Sequence, residues 1–293
     1  MKTPLLFLLL IGTLPVAAQK TPVRSAPPKT TAGPAFTITC ADQQPASALQ
    51  KLHCETRELT LPAPPVGTAL MVDARVNGGL TVRGYAGNTV RVRARITGRA
   101  ATPESAKALA AAVRITSENS LVRAGRANES LDGWAVDYEV FVPFRTDLVL
   151  KAVNGGITLE NVEGKLRFDT TNGGLVLTGI NGEARGQTTN GSVTIVLTGP
   201  AWVGPGLEVN TVNGSVSWQL PATYAATVLA RTTHGKVSAA LNTKRKSVLP
   251  HSLVATLGKG GAQLKANTVH GSITVTQPAE IVPVVATDST DTE

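Results

Sequence analysis

The side chains best placed to do chemistry in this sequence are arginines on one predicted strand. The run Val90–Ile96 alternates strictly between apolar residues and arginines, which is typical of a half-buried strand. Arg91, Arg93 and Arg95 would face outward, and Arg83 lies shortly before them. Such a face could bind a polyanion, or its charge could protect an edge strand from pairing with another chain. The sequence alone leaves both interpretations open.

The overall charge agrees with a basic surface but does not choose its partner. The formal net charge is +8, and aromatic residues make up only 4% of the chain. The interleaving of aromatic and basic residues that single-stranded nucleic-acid binders use is absent. We therefore expect envelope glycans, anionic polymers or a host or cell surface as partners, and no specific nucleic acid; the oligomeric state stays open.

Candidates for catalysis are weak. Asp169 with Glu160 or Glu183 could form an acid/base pair, but these residues fall at outward or turn positions. His234 and His270 occupy equivalent turn positions and could share a metal if their repeats were neighbours, although His also replaces Asn because both tolerate turns. No Ser/His/Asp order, HExxH sequence or phosphate-binding loop is present. We therefore expect that the protein is not an enzyme and that it binds no cofactor and no metal.

Two cysteines and the N-terminus predict an exported protein. Lys2, the apolar stretch Leu5–Leu14 and the small residues Val16-Ala17-Ala18 form a signal-peptide pattern. Cys40 and Cys54 then favour a disulfide, because exported proteins meet an oxidising compartment. We expect a periplasmic, extracellular or cell-surface location and no transmembrane segment in the mature chain.

Composition divides the chain into five segments. They are a signal peptide at 1–18, a flexible Pro/Thr-rich leader at 19–35, an N-terminal segment with the cysteine pair at 36–68, a repeat domain at 69–278 and a polar, acidic tail at 279–293.

The repeat domain is built on a short motif that contains Asn-Gly or His-Gly. Asn154, Asn172 and Asn190 are spaced by two equal steps of 18 residues, and a fixed period of this kind indicates stacked repeats. From Asn154 onwards each motif has Thr or Ala two positions before the Asn or His, with alternating apolar residues on both sides. The predicted structural turns are Asn77, Asn154, Asn172, Asn190, Asn213, His234 and His270.

Two geometries fit this repeat. In an antiparallel meander each Asn-Gly would close a hairpin, whereas in a β-solenoid the coils would stack in parallel with like residues over like. Thr170, Thr188, Thr211, Thr232 and Thr268 would then form a ladder in which each bonds to the next. Because the meander gives no reason for the recurrent Thr, we predict the solenoid. In both geometries Gly would supply the backbone angles of the turn.

One helix is predicted to interrupt the strands. The stretch 102–113 contains Thr102 as N-cap, Pro103 at the first helical position and an Ala-rich run. The predicted fold class is all-β: a β-solenoid or β-helix-like stack of short strands with Asn-Gly turns and one short helical insertion. The basic stretch 243–246 is predicted to be a loop.

The exported N-terminus, the strand–helix–strand unit and the T-x-N-G-x-apolar repeat resemble the bacterial putative-adhesin family of β-solenoid proteins, which is related to auto-transporter adhesin head domains. The resemblance covers roughly residues 70 to 278 and implies a non-enzymatic cell-envelope protein that acts in adhesion or as a surface-interaction scaffold. It carries over no catalytic residues. The alternative is a polyanion- or envelope-glycan-binding protein that uses the arginine face, and a polysaccharide-active enzyme on a β-helix is the third possibility.

Overall fold

The computed structural model describes residues 33–41, 50–127, 130 and 132–278. The predicted signal peptide at 1–18, residues 19–32 of the predicted leader and the tail at 279–293 lie outside the described residues. Within them the protein consists mostly of β-strands, with one α-helix.

The N-terminal part contains seven strands and the helix. They are β1 (Lys51–Pro62), β2 (Leu70–Asp73), β3 (Leu80–Tyr85), β4 (Thr89–Ala100), α1 (Pro103–Ala112), β5 (Arg114–Glu118), β6 (Leu121–Gly125) and β7 (Trp134–Pro143). The helix starts as predicted, because the Thr102 hydroxyl oxygen accepts a hydrogen bond from the Ser105 N–H at 3.2 Å. No helix in the described ranges is long and apolar enough to cross a membrane.

The remaining strands carry the repeats. They are β8 (Leu148–Lys151), β9 (Ile157–Glu160), β10 (Glu163–Asn172), β11 (Leu175–Thr178), β12 (Asn181–Asn190), β13 (Val193–Val196), β14 (Gly206–Asn213), β15 (Val216–Gln219), β16 (Ala226–His234), β17 (Val237–Ala240), β18 (Lys246–Leu249), β19 (Ser252–Leu257), β20 (Gln263–His270) and β21 (Ile273–Thr276). The basic stretch predicted as a loop therefore ends in a strand, since Lys246 begins β18.

These strands form two mixed sheets. The first sheet has the order β1-β4-β7-β3-β9-β11-β13-β15-β21-β17, and the second has the order β18-β19-β16-β20-β14-β12-β10-β8-β2-β6-β5. Each repeat gives one strand to each sheet. The chain crosses from the second sheet to the first at its Asn-Gly or His-Gly, so these dipeptides form corners between sheets and the hairpins of an antiparallel meander do not occur.

Neighbouring repeats pair in parallel and in register. β10 lies beside β12 with Thr170 opposite Thr188 and Asn172 opposite Asn190, and β11 lies beside β13 with Leu175 opposite Val193. Like residues thus lie over like along the stack, and the inter-strand distance is about 4.8 Å.

The stack does not follow the order of the chain. β20 and β21 of the last repeat lie between β14 and β16 and between β15 and β17, respectively. The antiparallel hairpin of β18 and β19 covers the outer edge of β16. The two His-Gly repeats are consequently neighbours, although 36 residues separate them in the chain.

The core lies between the two sheets and is thin. The inward positions of the repeats are mainly Leu, Val and Ile, as in Leu166, Leu175 and Leu177, with Phe168 and Trp218 as the large rings. Period-two alternation places these residues on the inner face of each sheet and leaves the intervening residues outside. The outward residues can therefore vary without disturbing the core, and the surfaces described below consist of them.

Candidate functional site

The Asn side chains at the corners form a continuous amide ladder. Each Nδ2 donates to the Oδ1 of the preceding Asn: Asn172 to Asn154, Asn190 to Asn172 and Asn213 to Asn190, all at 2.8 Å, while Asn154 donates to Asn77 at 3.2 Å. This ladder of identical polar side chains is of the kind that parallel in-register stacking favours.

The two predicted His turns lie next in register beyond Asn213, at the end of this ladder. Asn213 lies opposite His270, and His270 lies opposite His234. The two imidazole rings stack with centroids 4.9 Å apart and an interplanar angle of 11°. The described residues contain no group of three or more His, Cys, Asp or Glu that could hold a metal ion, so the expectation of no metal stays a prediction.

The threonines stack in register, but their bonding differs from the prediction. Each buried hydroxyl donates to a glycine carbonyl of the neighbouring repeat at 2.8–2.9 Å, and Thr188 bonds to Gly173 in this way. The same contact recurs from Thr170 to Gly155, Thr211 to Gly191, Thr268 to Gly214 and Thr232 to Gly271. The expected bonds from one Thr to the next are therefore wrong. Each hydroxyl thus supplies a donor to a glycine carbonyl at a half-buried corner, where an unpaired carbonyl would cost free energy.

The corner glycines are also required for a different reason than the one expected. None of Gly155, Gly173, Gly191, Gly214, Gly235 and Gly271 has a positive φ. A Cβ on Gly191 would instead lie 2.1 Å from the carbonyl oxygen of Gly173, and the equivalent contacts in the other repeats are equally close. Glycine is needed because the backbones approach one another too closely for any side chain.

The four predicted binding arginines lie together on the outer face of the first sheet. β4, which carries Arg91, Arg93 and Arg95, is an interior strand between β1 and β7. The interpretation of these charges as protection of an edge strand is therefore wrong. Arg83 lies on the outer side of β3, with Tyr138–Pro143 of β7 between it and β4.

These arginines have partners within the chain. Arg95 contacts Asp137 at 2.9 Å, Arg93 contacts Glu58, and Arg83 contacts Glu160 at 2.8 Å and also the buried Glu139. Ion pairs at a partly exposed surface contribute little stability. They do, however, reduce the positive charge that a polyanion would meet.

The segment 33–41, which has no regular secondary structure, lies over this arginine face. Arg91 donates to the carbonyl of Pro34 at 2.7 Å, and the guanidinium groups of Arg91 and Arg93 lie 5.0 and 4.7 Å from the centroid of the Phe36 ring. The Phe36 ring also packs on Phe141 at 5.2 Å. Residues 33–41, called the strap below, therefore cover the arginines by cation–π and apolar contacts.

Glu139 is the main polar anchor of the strap. Its carboxylate is 1% exposed and accepts hydrogen bonds from the N–H groups of Thr37 and Ile38 at 2.7 and 2.8 Å and from the Thr37 hydroxyl at 2.9 Å. With Arg83 as counter-ion, this buried charge is satisfied. Cys40 and Cys54 form the predicted disulfide, with Cα atoms 5.7 Å apart, and tie the end of the strap to β1.

A long groove crosses the outer face of the second sheet. Its volume is about 770 Å³. One wall consists of a row of polar residues, each immediately before a buried Thr or Ala, paired in register across the stack: Asp73, Lys151, Asp169, Gln187, Asn210, Asn267 and Arg231. The other wall is a row of β-branched residues two positions further on: Val153, Thr171, Thr189, Val212, Val269 and Thr233. We call this feature the sheet groove.

The acidic residues considered for catalysis are dispersed. Asp169 lies in the sheet groove, Glu160 pairs with Arg83 on the first sheet, and Glu183 pairs with Arg185 at 3.1 Å on the second sheet. The groove and the role of Glu139 were not expected from the sequence. A local signal for the groove exists, since each residue of its polar row immediately precedes a recurrent Thr or an Ala at the same position (Ala74 and Ala152). Only the parallel register, however, turns that position into a continuous wall.

The fold and these surfaces define a class of mostly β proteins in which parallel repeats build two mixed sheets. The chain belongs to the Toastrack DUF4097 family, whose model matches residues 104–276, more than half of the chain. No curated protein gives a significant match.

The chain is also similar to several solved structures. A putative cell adhesion protein from Clostridium sporogenes ATCC 15579 has 13% identity and a TM-score of 0.39, covering 76% of this chain and 100% of the other. A putative adhesin from Bacteroides fragilis NCTC 9343 has 11% identity and a TM-score of 0.38, covering 77% and 97%. A putative lipid binding protein from Parabacteroides distasonis ATCC 8503 has 11% identity and a TM-score of 0.29, covering 76% and 97%. These likenesses are too distant to transfer a function.

Proposed function

We propose that this protein is a non-enzymatic, exported scaffold of the cell envelope that interacts with surfaces, as an adhesin does. The observation that carries the proposal is the in-register stack of repeats, in which the hydroxyls of Thr188 and its equivalents donate to the glycine carbonyls at the corners. Such a stack acts as a β-solenoid: it is rigid, and its outward side chains line up into long surfaces without affecting the core. A relation to auto-transporter adhesin heads is part of this proposal.

Export is supported by the signal-peptide pattern and by the disulfide between Cys40 and Cys54. The test is to treat intact bacterial cells that produce the epitope-tagged protein with a protease. Surface exposure predicts cleavage on intact cells, and a periplasmic location predicts cleavage only after the outer membrane is opened. A version without residues 1–18 is the matched control. If the full-length protein fractionated with this cytosolic control, the proposal would be wrong.

The absence of catalysis is supported by the separation of the three candidate acids, Asp169, Glu160 and Glu183. In addition, Glu160 and Glu183 each form an ion pair with an arginine. An acid/base mechanism needs its groups within reach of one reacting atom. We expect no turnover of uronic-acid polymers when the purified protein is incubated with calcium. Turnover that a mock purification lacks would establish the polysaccharide-active enzyme instead.

Polyanion binding by the arginine face is the second candidate function. The specific observation in its favour is that Arg83, Arg91, Arg93 and Arg95 share one face. The strap covers this face, so a polyanion would have to displace it. Retention on heparin that falls steeply with salt and is lost in Arg91→Ala/Arg93→Ala would support this candidate, whereas retention that these changes leave intact would count against it.

A further inference from the structure

In the sheet groove a ligand can contact side chains, but it finds no free strand edge. The strands at its centre, β10, β12, β14 and β20, each have hydrogen-bonded neighbours on both sides. Their backbone groups are consumed by the sheet, so an extended peptide cannot add to it as a further strand. Recognition here must use the hydroxyl, amide and apolar groups of the outward side chains.

The polar wall is uncharged at the centre of the groove. Gln187, Asn210 and Asn267 follow one another in register, and the Asn267 Nδ2 donates to the Asn210 Oδ1 at 2.9 Å. Each side-chain amide has two donor hydrogens and two acceptor lone pairs, so the row keeps unused capacity for both kinds of hydrogen bond. The charged residues that line the groove lie towards its two ends: Asp73, Arg75, Lys151 and Asp169 at one and Arg231 at the other.

The opposite wall supplies an apolar surface. Thr189, Val212 and Val269 are β-branched, and the Val212 side chain is 40% exposed. This row lines the same groove as the amides and runs parallel to them along the stack. The polar wall can therefore form hydrogen bonds with a ligand, while the β-branched wall offers the ligand an apolar surface. The residues of both walls recur about every 4.8 Å along the stack.

We propose that the sheet groove binds an extended, uncharged, hydroxyl-rich oligosaccharide along the axis of the stack. The hydroxyl edge of such a chain matches the amide row, its C–H faces match the β-branched row, and its repeating units match a wall that itself repeats. The neutral centre disfavours a polyanion, because a strongly anionic chain would meet no cation between Lys151 and Arg231. A volume of about 770 Å³ lies within the range of ligand sites, roughly 300–1,000 Å³. The proposal rests on the proposed function and names the ligand class of that scaffold.

The test is calorimetric titration of the purified full-length protein with linear oligosaccharides of one length. The uncharged probes are oligomers of glucose, xylose and N-acetylglucosamine, and the anionic probe is the equivalent oligogalacturonate. Thr189→Trp fills the groove. Ser217→Trp places the same ring at an exposed position on β15, in the other sheet, and serves as the control. Gln187→Ala removes one amide without adding bulk and keeps the test valid if Thr189→Trp does not fold.

We expect at least one uncharged oligomer to bind with an affinity that high salt leaves unchanged. Thr189→Trp and Gln187→Ala should weaken binding by about tenfold or more, and Ser217→Trp should not. The proposal is overturned if no uncharged oligomer binds, if binding survives in Thr189→Trp, or if only the oligogalacturonate binds and salt abolishes it. If the protein is exported and adheres to cells while the groove variants behave as wild type, the groove proposal fails and the scaffold function stands.

Discussion

The Thr188 hydroxyl donates a hydrogen bond of 2.8 Å to the carbonyl oxygen of Gly173 in the neighbouring repeat. The same oxygen lies 2.1 Å from the position that a Cβ on Gly191 would take. Thr188 and Gly191 therefore act on the same carbonyl: Gly191 allows the neighbouring repeat to approach it closely, and Thr188 donates a hydrogen bond to it. Through this pair the repeat motif specifies how neighbouring repeats stack.

Thr188→Val should lower the free energy of unfolding by about 1 kcal/mol, because the carbonyl oxygen of the half-buried Gly173 loses its hydrogen bond while side-chain volume is conserved. Urea unfolding followed by circular dichroism measures the change. Thr189→Val is the matched control, since Thr189 is exposed and next in sequence. Equal stability of both variants would show that the Thr contacts do not hold the stack together.

Gly191→Ala should destabilise the protein strongly, by about 3 kcal/mol or more. The new Cβ would overlap the Gly173 carbonyl and force the neighbouring repeats apart. Gly125→Ala is the control, because no atom lies within 4 Å of the position that its Cβ would take and its φ is not positive. Thermal unfolding of both proteins decides the matter. A small effect of Gly191→Ala would mean that the corner can relax and that close approach does not explain the glycine.

Removal of the disulfide should loosen the strap. In the double variant Cys40→Ser/Cys54→Ser, opening a loop with a sequence separation of 14 should cost about 3 kcal/mol. Hydrogen exchange should increase first at Thr37 and Ile38, whose N–H groups donate to Glu139. Because these substitutions leave the net charge unchanged, stronger retention of the variant on heparin would show that the arginines under the strap have become accessible. Unchanged exchange at these two amides would show that Glu139 and Phe36 hold the strap without the disulfide.

High pH should destabilise the protein through its buried tyrosines. Burial raises the pKa of Tyr224 from 10.0 to about 12, and burial likewise raises the pKa of Tyr138, with Asp73 adding to the effect. Because the raised pKa favours the neutral phenol in the folded state, stability is full below pH 10 and declines as pH rises towards 12. Each tyrosine contributes up to about 1.4 kcal/mol per pH unit. Tyr224→Phe should make the decline shallower in urea titrations, and an unaltered slope would contradict this.

Much of the scaffold could be predicted from the sequence because the repeat is local. The alternation around Asn172 and Asn190 gives the inward residues, and Thr102 with Pro103 gives the start of the helix. The reason why glycine is needed at the corners could not be predicted, since a backbone contact such as Gly191 to Gly173 exists only between neighbouring repeats. The repeat period alone does not tell whether a glycine is needed for a left-handed backbone conformation or because a neighbouring backbone approaches it closely.

The candidate surfaces were less predictable because they depend on long-range order. Arg91, Arg93 and Arg95 were found from their alternation, but Phe36 and Glu139, which lie 103 positions apart by their numbers, had no local signal to connect them to that face. The sheet groove likewise requires Asn267 to lie beside Asn210. That neighbour relation arises because the last repeat inserts into the stack, which no sequence period encodes.

The most direct test of the central claim, that in-register repeats build one continuous surface with the last repeat inserted into the stack, is disulfide trapping of engineered cysteines. Asn210 and Asn267 are direct partners on β14 and β20, whereas Asn210 and Arg231 are separated by the intervening strand. Their Cα atoms are thus about 5 Å and about 10 Å apart, respectively, and only the first distance permits a disulfide. We predict that mild oxidation traps Asn210→Cys/Asn267→Cys and not Asn210→Cys/Arg231→Cys, as read by mass spectrometry of proteolytic fragments. Trapping of the second pair in place of the first would mean that the repeats stack in chain order and that the groove as described does not exist.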